Sequence, residues 1–471
     1  MNTLGEDIRQ TLDELKYLLG DADRRLQTFL CDIAKNKRHI HTHSYAESRA
    51  MALGYRQEIA LLTKRLSSRD ESVTRDTQEY LRTHQTLFGA LITMTDWQSP
   101  SYTHTLASQA GRETGRIYAT MNDYKRDQHW DAYRYEQAFL KENIDVLIKF
   151  PVHVHATSSG MAAFTTILLF LLGEKKATGK VLCGTSVYFE NKALITQLFA
   201  DQLIIVDESD TKKIIKSIDT YHPSVIFLDS LTNTPDVVVP DLSRVIRHLL
   251  SAKKETHLVI DNTGLSIRFQ PFPILFGRRT NLRLIQFESL NKYHQFGMDR
   301  VTGGIIAALG GDTGKLFDYR AHAGTNITDV GAASLPTPNR SILAKRLTRH
   351  SRNAAFLARA LKTWIHEHPN SPFTGISFPG VGSYFTIKFK KRYNTIPSYR
   401  RFVKLSLAAA KRYNINVVSG TSFGLNTTRI YLTALRSKPN TPFVRIAVGT
   451  EHIHALQSLR DALIETLKRF R

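Results

Sequence analysis

The sequence predicts an α/β chain in three parts: an all-helical extension over 1–115, a large α/β domain over 116–330 on a mostly parallel seven-stranded sheet, and a smaller α+β domain over 331–471. Three patterns predict this. Apolar residues first recur at helical spacing, short β-rich runs then alternate with helical stretches, and a long helix finally gives way to further alternation.

The extension runs from Asp7 to about Thr95, with Ile8, Leu12, Leu15, Leu18 and Leu19 and later Met51, Leu53, Ile59, Leu61, Leu62 and Leu66 at helical intervals. Its breaks are expected at GDAD (20–23), around THSY (42–45) and at SSRDES (67–72), where Ser and Asp supply N-cap chemistry. A loop rich in Ser, Thr, Pro and Gly follows from Gln98 to Gly115. The candidate strands of the large domain are VLIKFPVHVHA, KVLCG, LIIVD, PSVIFLDS, HLVIDN, RLIQFES and GGIIAAL. Beyond Arg320 a helix is expected from about Ser341 to Trp364, then the strands YFTIKFK, INVVSG and FVRIAVG.

Composition narrows the function classes. With 42% hydrophobic and 23% charged residues the chain can bury sizeable cores, which excludes disorder as its main description. No apolar run approaches the ~20 residues of a membrane span, even at Phe164 to Leu172. The start MNTLGEDIRQ lacks the basic and apolar stretches of a secretory signal, and Cys31 and Cys183 make no disulfide framework or zinc motif, so a cytoplasmic, metal-free protein is expected. The net charge of +22 is scattered in short basic runs without a DNA- or RNA-binding motif, and reads as a surface that attracts phosphate-bearing ligands rather than nucleic acid. The segment 310–315 (GGDTGK) fails the P-loop pattern, because Leu309 and Leu316 stand where Gly and Ser or Thr are needed.

Four features fall at strand ends, where α/β sheets place ligands. Ser158-Ser159-Gly160-Met161 opens a helix and can offer backbone N–H groups to a phosphate, or is simply a capped helix start. Asp261, closing the strand HLVI, suits a protonated pyridine nitrogen, and equally a helix cap. Lys292 follows Ser289 and Asn291 just after a strand, as a Schiff-base lysine beside a phosphate site or as a solvated surface lysine. Arg445, inside the apolar strand FVRIAVG, needs an anionic partner, either a substrate carboxylate or a structural carboxylate.

Together and in this order these features resemble the Cys/Met-metabolism family of pyridoxal-phosphate (PLP) enzymes, from about Tyr118 to the C-terminus. The family's SSGMAA stands as Ser158 to Ala163, its VDNT as Ile260 to Thr263, its SxTKY as Ser289 to Tyr293, its GG as Gly303-Gly304, and its VRLSVGIE as VRIAVGTE (444–451). RLTRHSRNAAFLARAL (346–361) resembles its R…H…NA…LA…L helix.

The resemblance implies a fold type I PLP-dependent transferase, aspartate aminotransferase-like. Its implied cofactor is pyridoxal 5'-phosphate, held by Lys292 and bound by Ser159, Gly160, Met161, Ser289, Asn291, Asp261 and Thr263. Tyr188 would stack on the cofactor ring and act as acid or base, and Asn233 would lie near its phenolic oxygen. Tyr124 and Arg126, resembling the Y-x-R pair that reaches a neighbouring subunit's phosphate, imply a homodimer as catalytic unit and a homotetramer as assembly. Arg445 and Ser422 are implied at the substrate carboxylate. The implied reaction is γ-replacement on an O-activated homoserine, as in cystathionine γ-synthase, with γ- or β-elimination as the alternative and a non-catalytic PLP-fold scaffold as the rival from another class. The sequence departs from the family pattern where DQHWDA replaces GNPT, where Asp229 replaces Glu and where Asn291 replaces Thr.

Overall fold

Seven strands form one sheet in the order β1-β7-β6-β5-β4-β2-β3. They are β1 (His153–Thr157), β2 (Val181–Gly184), β3 (Leu203–Val206), β4 (Val225–Asp229), β5 (Thr256–Asp261), β6 (Leu282–Ser289) and β7 (Gly304–Leu309). Each falls within or within a residue of a run that the sequence marks. The pairs β2/β3, β2/β4, β4/β5 and β5/β6 are parallel, whereas β1 runs antiparallel to β7. Burial is complete along β2, β4 and β7, as expected of strands covered on both faces. The computed structural model describes residues 3–68, 71–95, 126–147, 151–435 and 442–470. The expected loop from Gln98 to Gly115 and Tyr124 lie outside the described residues.

By packing, the chain divides into two compact units, residues 1–7, 171–287 and 343–471 in one, and residues 8–170 and 288–342 in the other. In the second unit, α1 (Leu4–Lys35), α2 (Thr42–Arg65), α3 (Glu71–His84) and α4 (Leu87–Thr95) supply the helical array that the N-terminal periodicity predicts. The expected break at GDAD does not occur. Gly20 and Asp21 lie inside α1, and Asp21 is buried because its carboxylate accepts the Thr337 amide at 3.1 Å and pairs with Arg25 at 3.7 Å. A residue with cap chemistry is thus recruited by a distant loop. The real break falls at 36–41, where a 3-10 turn (Lys37–His39) precedes α2. The same unit holds α5 (Trp130–Asn143), the first residues of α6 (Gly160–Gly173), α10 (Leu316–His322) and α11 (Asp329–Ser334). Arg320 of α10 is fully buried and spends its guanidinium on Glu136 at 2.6 Å, the Ala156 carbonyl and Gln128.

The first unit carries α7 (Phe189–Phe199), α8 (Thr211–Tyr221) and α9 (Leu242–Leu249), of which the last two are capped by Asp210 and Asp241. It also holds an antiparallel sheet in the order β10-β11-β9-β8, comprising β8 (Phe373–Ser377), β9 (Tyr384–Phe389), β10 (Arg429–Thr433) and β11 (Phe443–Ala447). Against it pack α12 (Arg340–Glu367), α13 (Ile396–Arg412) and α14 (Ile453–Arg469), burying Phe373, Phe385, Phe402 and Phe470. The expected strand INVVSG makes only one bridge, Val418 to Arg429. The sheet instead includes β10, where Ile430 and Leu432 are buried and Arg429 and Tyr431 are half-buried, a short alternation flanked by polar residues. The chain's first turn belongs to this unit, where buried Asp7 binds Arg352 at 2.6 Å and the Ile453 amide at 3.0 Å.

Candidate active site

In the unit that contains Lys292, the chemistry-bearing turn follows β1. Ser159 caps α6 through a 2.9 Å bond from the Ala162 amide, while the Ser158 amide is tied to the Thr325 carbonyl at 2.9 Å. The Gly160 and Met161 amides occupy the first helical turn, which has no acceptors of its own. Gly160 and Gly304 have steric reasons to lack a side chain. A Cβ on Gly160 would come within 2.9 Å of Ser289 Cβ, and one on Gly304 within 2.2 Å of the Ser159 carbonyl oxygen. Ser289 therefore sits against the Ser159–Gly160 turn because neither glycine carries a side chain.

The loop after β6 places Lys292, half-buried, next to fully buried Tyr293. It is closed by the Leu290 amide on the Gly303 carbonyl at 2.9 Å. The Asn291 side chain spans this closure, donating to the Val301 carbonyl and accepting from the Gly303 amide, both at 3.1 Å. Buried Gln295 completes the loop with donors on the Leu290 and Val301 carbonyls and an acceptor for the Arg300 and Val301 amides. Beneath it, His294 binds Glu288 at 2.9 Å. Neither Gln295 nor this pair is singled out by the sequence, since an isolated Gln or His carries no motif. Arg126 is about half exposed and lies 3.8 Å from Asp127.

In the other unit, Asp229 and Asp261 stand side by side at the carboxyl ends of β4 and β5. Asp261 accepts the Thr263 amide at 2.9 Å, and its carbonyl accepts the Ser230 amide. Asp229 accepts the Tyr188 amide at 3.0 Å. Burial, reinforced by the charges of Asp261 and Glu208, holds the Asp229 carboxyl well above the usual carboxylate range. Tyr188 precedes α7; burial first, then the Glu190 charge, raise its phenol above its ordinary value, with Arg445 opposing and Asp261 adding to the rise. Tyr188, Asp229, Asp261 and Arg445 therefore sense one another within this unit.

Arg445, on β11, is 4% exposed and donates to Asn233 Oδ1 at 2.9 Å and to the Ser422 carbonyl at 3.1 Å. Its guanidinium lies 5.4 Å from the Tyr384 ring and 5.7 Å from the Phe423 ring. Tyr384 also donates to the Thr232 carbonyl, and Thr386 to the Pro235 carbonyl, so the Asn233 loop is docked on β9. Ser422 takes a positive φ of 75°, a strained geometry for a serine. The α12 motif is explained by its partners. Arg346 holds the Gly424 carbonyl and Asn426, His350 faces the Val448 carbonyl at 2.8 Å, and Asn353 donates to the Gly449 and Glu451 carbonyls. These three residues fix the backbone on either side of the arginine-bearing strand, a role that a one-dimensional pattern does not reveal.

The structure thus gathers Ser159, Gly160, Met161, Ser289, Asn291 and Lys292 in one unit, and Tyr188, Asn233, Asp261, Thr263, Ser422 and Arg445 in the other. The side-chain-free cradle at Gly160 fits a phosphate, and the half-buried Asp261 next to buried Asp229 fits a protonated aromatic nitrogen. A parallel α/β sheet with an amine-bearing loop and an acid at its strand ends defines the class of PLP-dependent enzymes of fold type I. The match to the Cys/Met metabolism PLP-dependent enzyme family covers residues 89–423, and the chain belongs to that family.

Among curated proteins it is 24% identical over 326 residues to the bifunctional enzyme flvA of Aspergillus flavus, covering 66% of this chain and 39% of that protein. It is 27% identical over 275 residues to cystathionine beta-lyase of Saccharomyces cerevisiae, covering 55% and 57%. The chain therefore matches less than two thirds of the length of these relatives. Among solved structures it resembles cystathionine gamma-lyase from Lactobacillus plantarum complexed with L-serine, with TM-score 0.57, 19% identity and coverage of 75% and 90%. It also resembles cystathionine gamma synthase from Xanthomonas oryzae pv. oryzae in complex with aminoacrylate and cysteine, with TM-score 0.56, 18% identity and coverage of 74% and 89%. At these identities the likeness shows the fold. Among the described residues no helix is long and apolar enough to cross a membrane.

Proposed function

We propose that this chain catalyses γ-replacement on an O-activated homoserine-type amino acid with a thiol or related nucleophile, in the cytoplasm, with a homodimer as catalytic unit and a homotetramer as assembly. The observation that carries the reading is the Tyr188–Asp229–Asp261–Arg445 constellation, which puts an acid–base phenol in the field of both a carboxylate and a carboxylate-binding guanidinium.

PLP, when bound, supplies an electron sink that stabilises negative charge at the substrate α-carbon. Lys292 holds it and carries protons between substrate carbons. The Gly160 and Met161 amides and the Ser159 and Ser289 hydroxyls bind its phosphate, with Asn291 and Gln295 fixing the loop. Asp261 and Thr263 bind at the ring, and the Asp261 carboxylate holds a proton at the ring nitrogen. Tyr188 gives or takes the proton of a leaving group on the substrate side chain. Arg445 orients the substrate carboxylate, its fork aimed by Asn233 and the Ser422 carbonyl. Tyr124 and Arg126 bind the phosphate of the adjoining subunit in this reading. The three-part division at 115 and 330 is proposed with it.

Elimination is the second reading, favoured by the name of the yeast relative, a β-lyase. The test incubates purified protein with O-acyl or O-phospho homoserine and cysteine, and separately with cystathionine, whose sulfur is a leaving group on either the β- or the γ-carbon. Accumulation of a thioether amino acid supports replacement. Release of ammonia and an α-keto acid, with or without cysteine, makes the chain a lyase. Light scattering in the same samples reads the assembly.

A further inference from the structure

Glu208 follows β3 and is 1% exposed, and no motif of the sequence includes it. Its Oε2 accepts the Ser186 amide at 2.6 Å, while buried Oε1 has no hydrogen-bond partner. The space it fills exists because β2 ends in glycine: a Cβ on Gly184 would lie 1.7 Å from Oε1 and 2.0 Å from Cδ. The turn that Glu208 grips leads to Tyr188. Along it the Thr185 amide and hydroxyl both donate to the Val206 carbonyl, at 2.8 and 3.0 Å, and the Tyr188 amide goes to Asp229. Two buried carboxyls, at the ends of the strands on either side of β2, thus hold alternate amides of one turn.

We propose that Glu208 is the positioning residue for Tyr188, clamping the intervening turn through the Ser186 amide in a recess that Gly184 leaves open. The inference rests on the reading of Tyr188 as the acid–base group. The groups facing this carboxyl are Lys192 from α7, Asp207 beside it, and Asp229 and the Cys183 thiol from β4 and β2. Burial pushes Glu208 up to about 7, against the opposing pull of the Ser186 bond and of Lys192. A carboxylate accepts the amide proton as a charge-assisted bond, and protonation reduces it to a neutral one. The clamp therefore tightens as pH rises through about 7. The linkage has the opposite sign for stability. With its folded value raised from 4.5 to about 7, Glu208 contributes stability that is full below 4.5 and lost as pH rises to about 7.

The test compares wild type with Glu208→Gln in two readouts. In the cofactor-free protein, Tm of wild type falls relative to the variant as pH rises from 4.5 to about 7. In the PLP-loaded enzyme, wild-type kcat shows an acid limb near 7 that Glu208→Gln lacks, with KM changed less than about two-fold. Gly184→Ala, which crowds the recess from its other side, lowers kcat about ten- to a hundred-fold by displacing the turn. Superimposable pH profiles of Tm and kcat for wild type and Glu208→Gln overturn the proposal. A wild type that takes up no PLP defeats the functional reading instead, and the cofactor-free melting curves still decide whether Glu208 titrates in the fold.

Discussion

The region around Lys292 and the region around Arg445 build their parts of a site from different materials. Near Lys292 the decisive contacts are backbone against backbone: Gly304 on the Ser159 carbonyl, Leu290 on Gly303, and neutral amides of Asn291 and Gln295 stitching the loop. Near Arg445 they are ionisable side chains, with Asp229 beside Asp261 and a guanidinium held between Asn233, the Ser422 carbonyl and two aromatic rings. A backbone cradle cannot yield to an extra atom, because nothing in it rotates. A charge cluster accepts an isosteric neutral replacement and fails when geometry or donor number changes. The first region specifies a shape, and the second a protonation pattern.

The largest effect is expected where shape is least negotiable. Gly304→Ala brings a methyl within 2.2 Å of a carbonyl oxygen, and urea denaturation should read a loss of roughly 4 kcal/mol or more. A variant within about 1 kcal/mol of wild type would break the contrast. Gln295→Leu leaves two carbonyls and two amides of the Lys292 loop without their present partner, and should cost about 2–3 kcal/mol by the same measurement. In the charged region, Arg445→Lys keeps the charge and loses the fork. Steady-state kinetics should show kcat/KM down about ten- to a hundred-fold with little change in Tm. The smallest effect is expected from Asp229→Asn, which can still accept the Tyr188 amide and mimics the neutral carboxyl that burial favours. Its stability at neutral pH should stay within about 1 kcal/mol of wild type. Because the Asp229 value is raised in the fold, wild type holds its extra stability at acid pH and loses it as pH climbs through that raised value. Melting curves of the variant should lack that decline.

How far the sequence reaches follows the same contrast. Asp261 at the end of β5, Lys292 in the loop just after β6 and Arg445 as the one charge inside β11 are legible because short apolar runs locate the strands and so fix these residues relative to them. Tertiary recruitment is not legible. Asp21 looks like a helix cap and instead stays inside α1, because Thr337 supplies the amide that it accepts. Arg346, His350 and Asn353 form a visible pattern whose meaning lies in carbonyls of distant loops. Glu208 is silent in the sequence, since its recess depends on a glycine of another strand.

The most direct test of the account is the fate of Lys292 itself. The purified protein, supplied with PLP, should show a visible absorbance band that borohydride abolishes, and peptide mass spectrometry should then find the reduced cofactor on Lys292, with Lys292→Ala showing neither. A protein that stays colourless, or a label carried by another lysine while Lys292→Ala behaves as wild type, would contradict it.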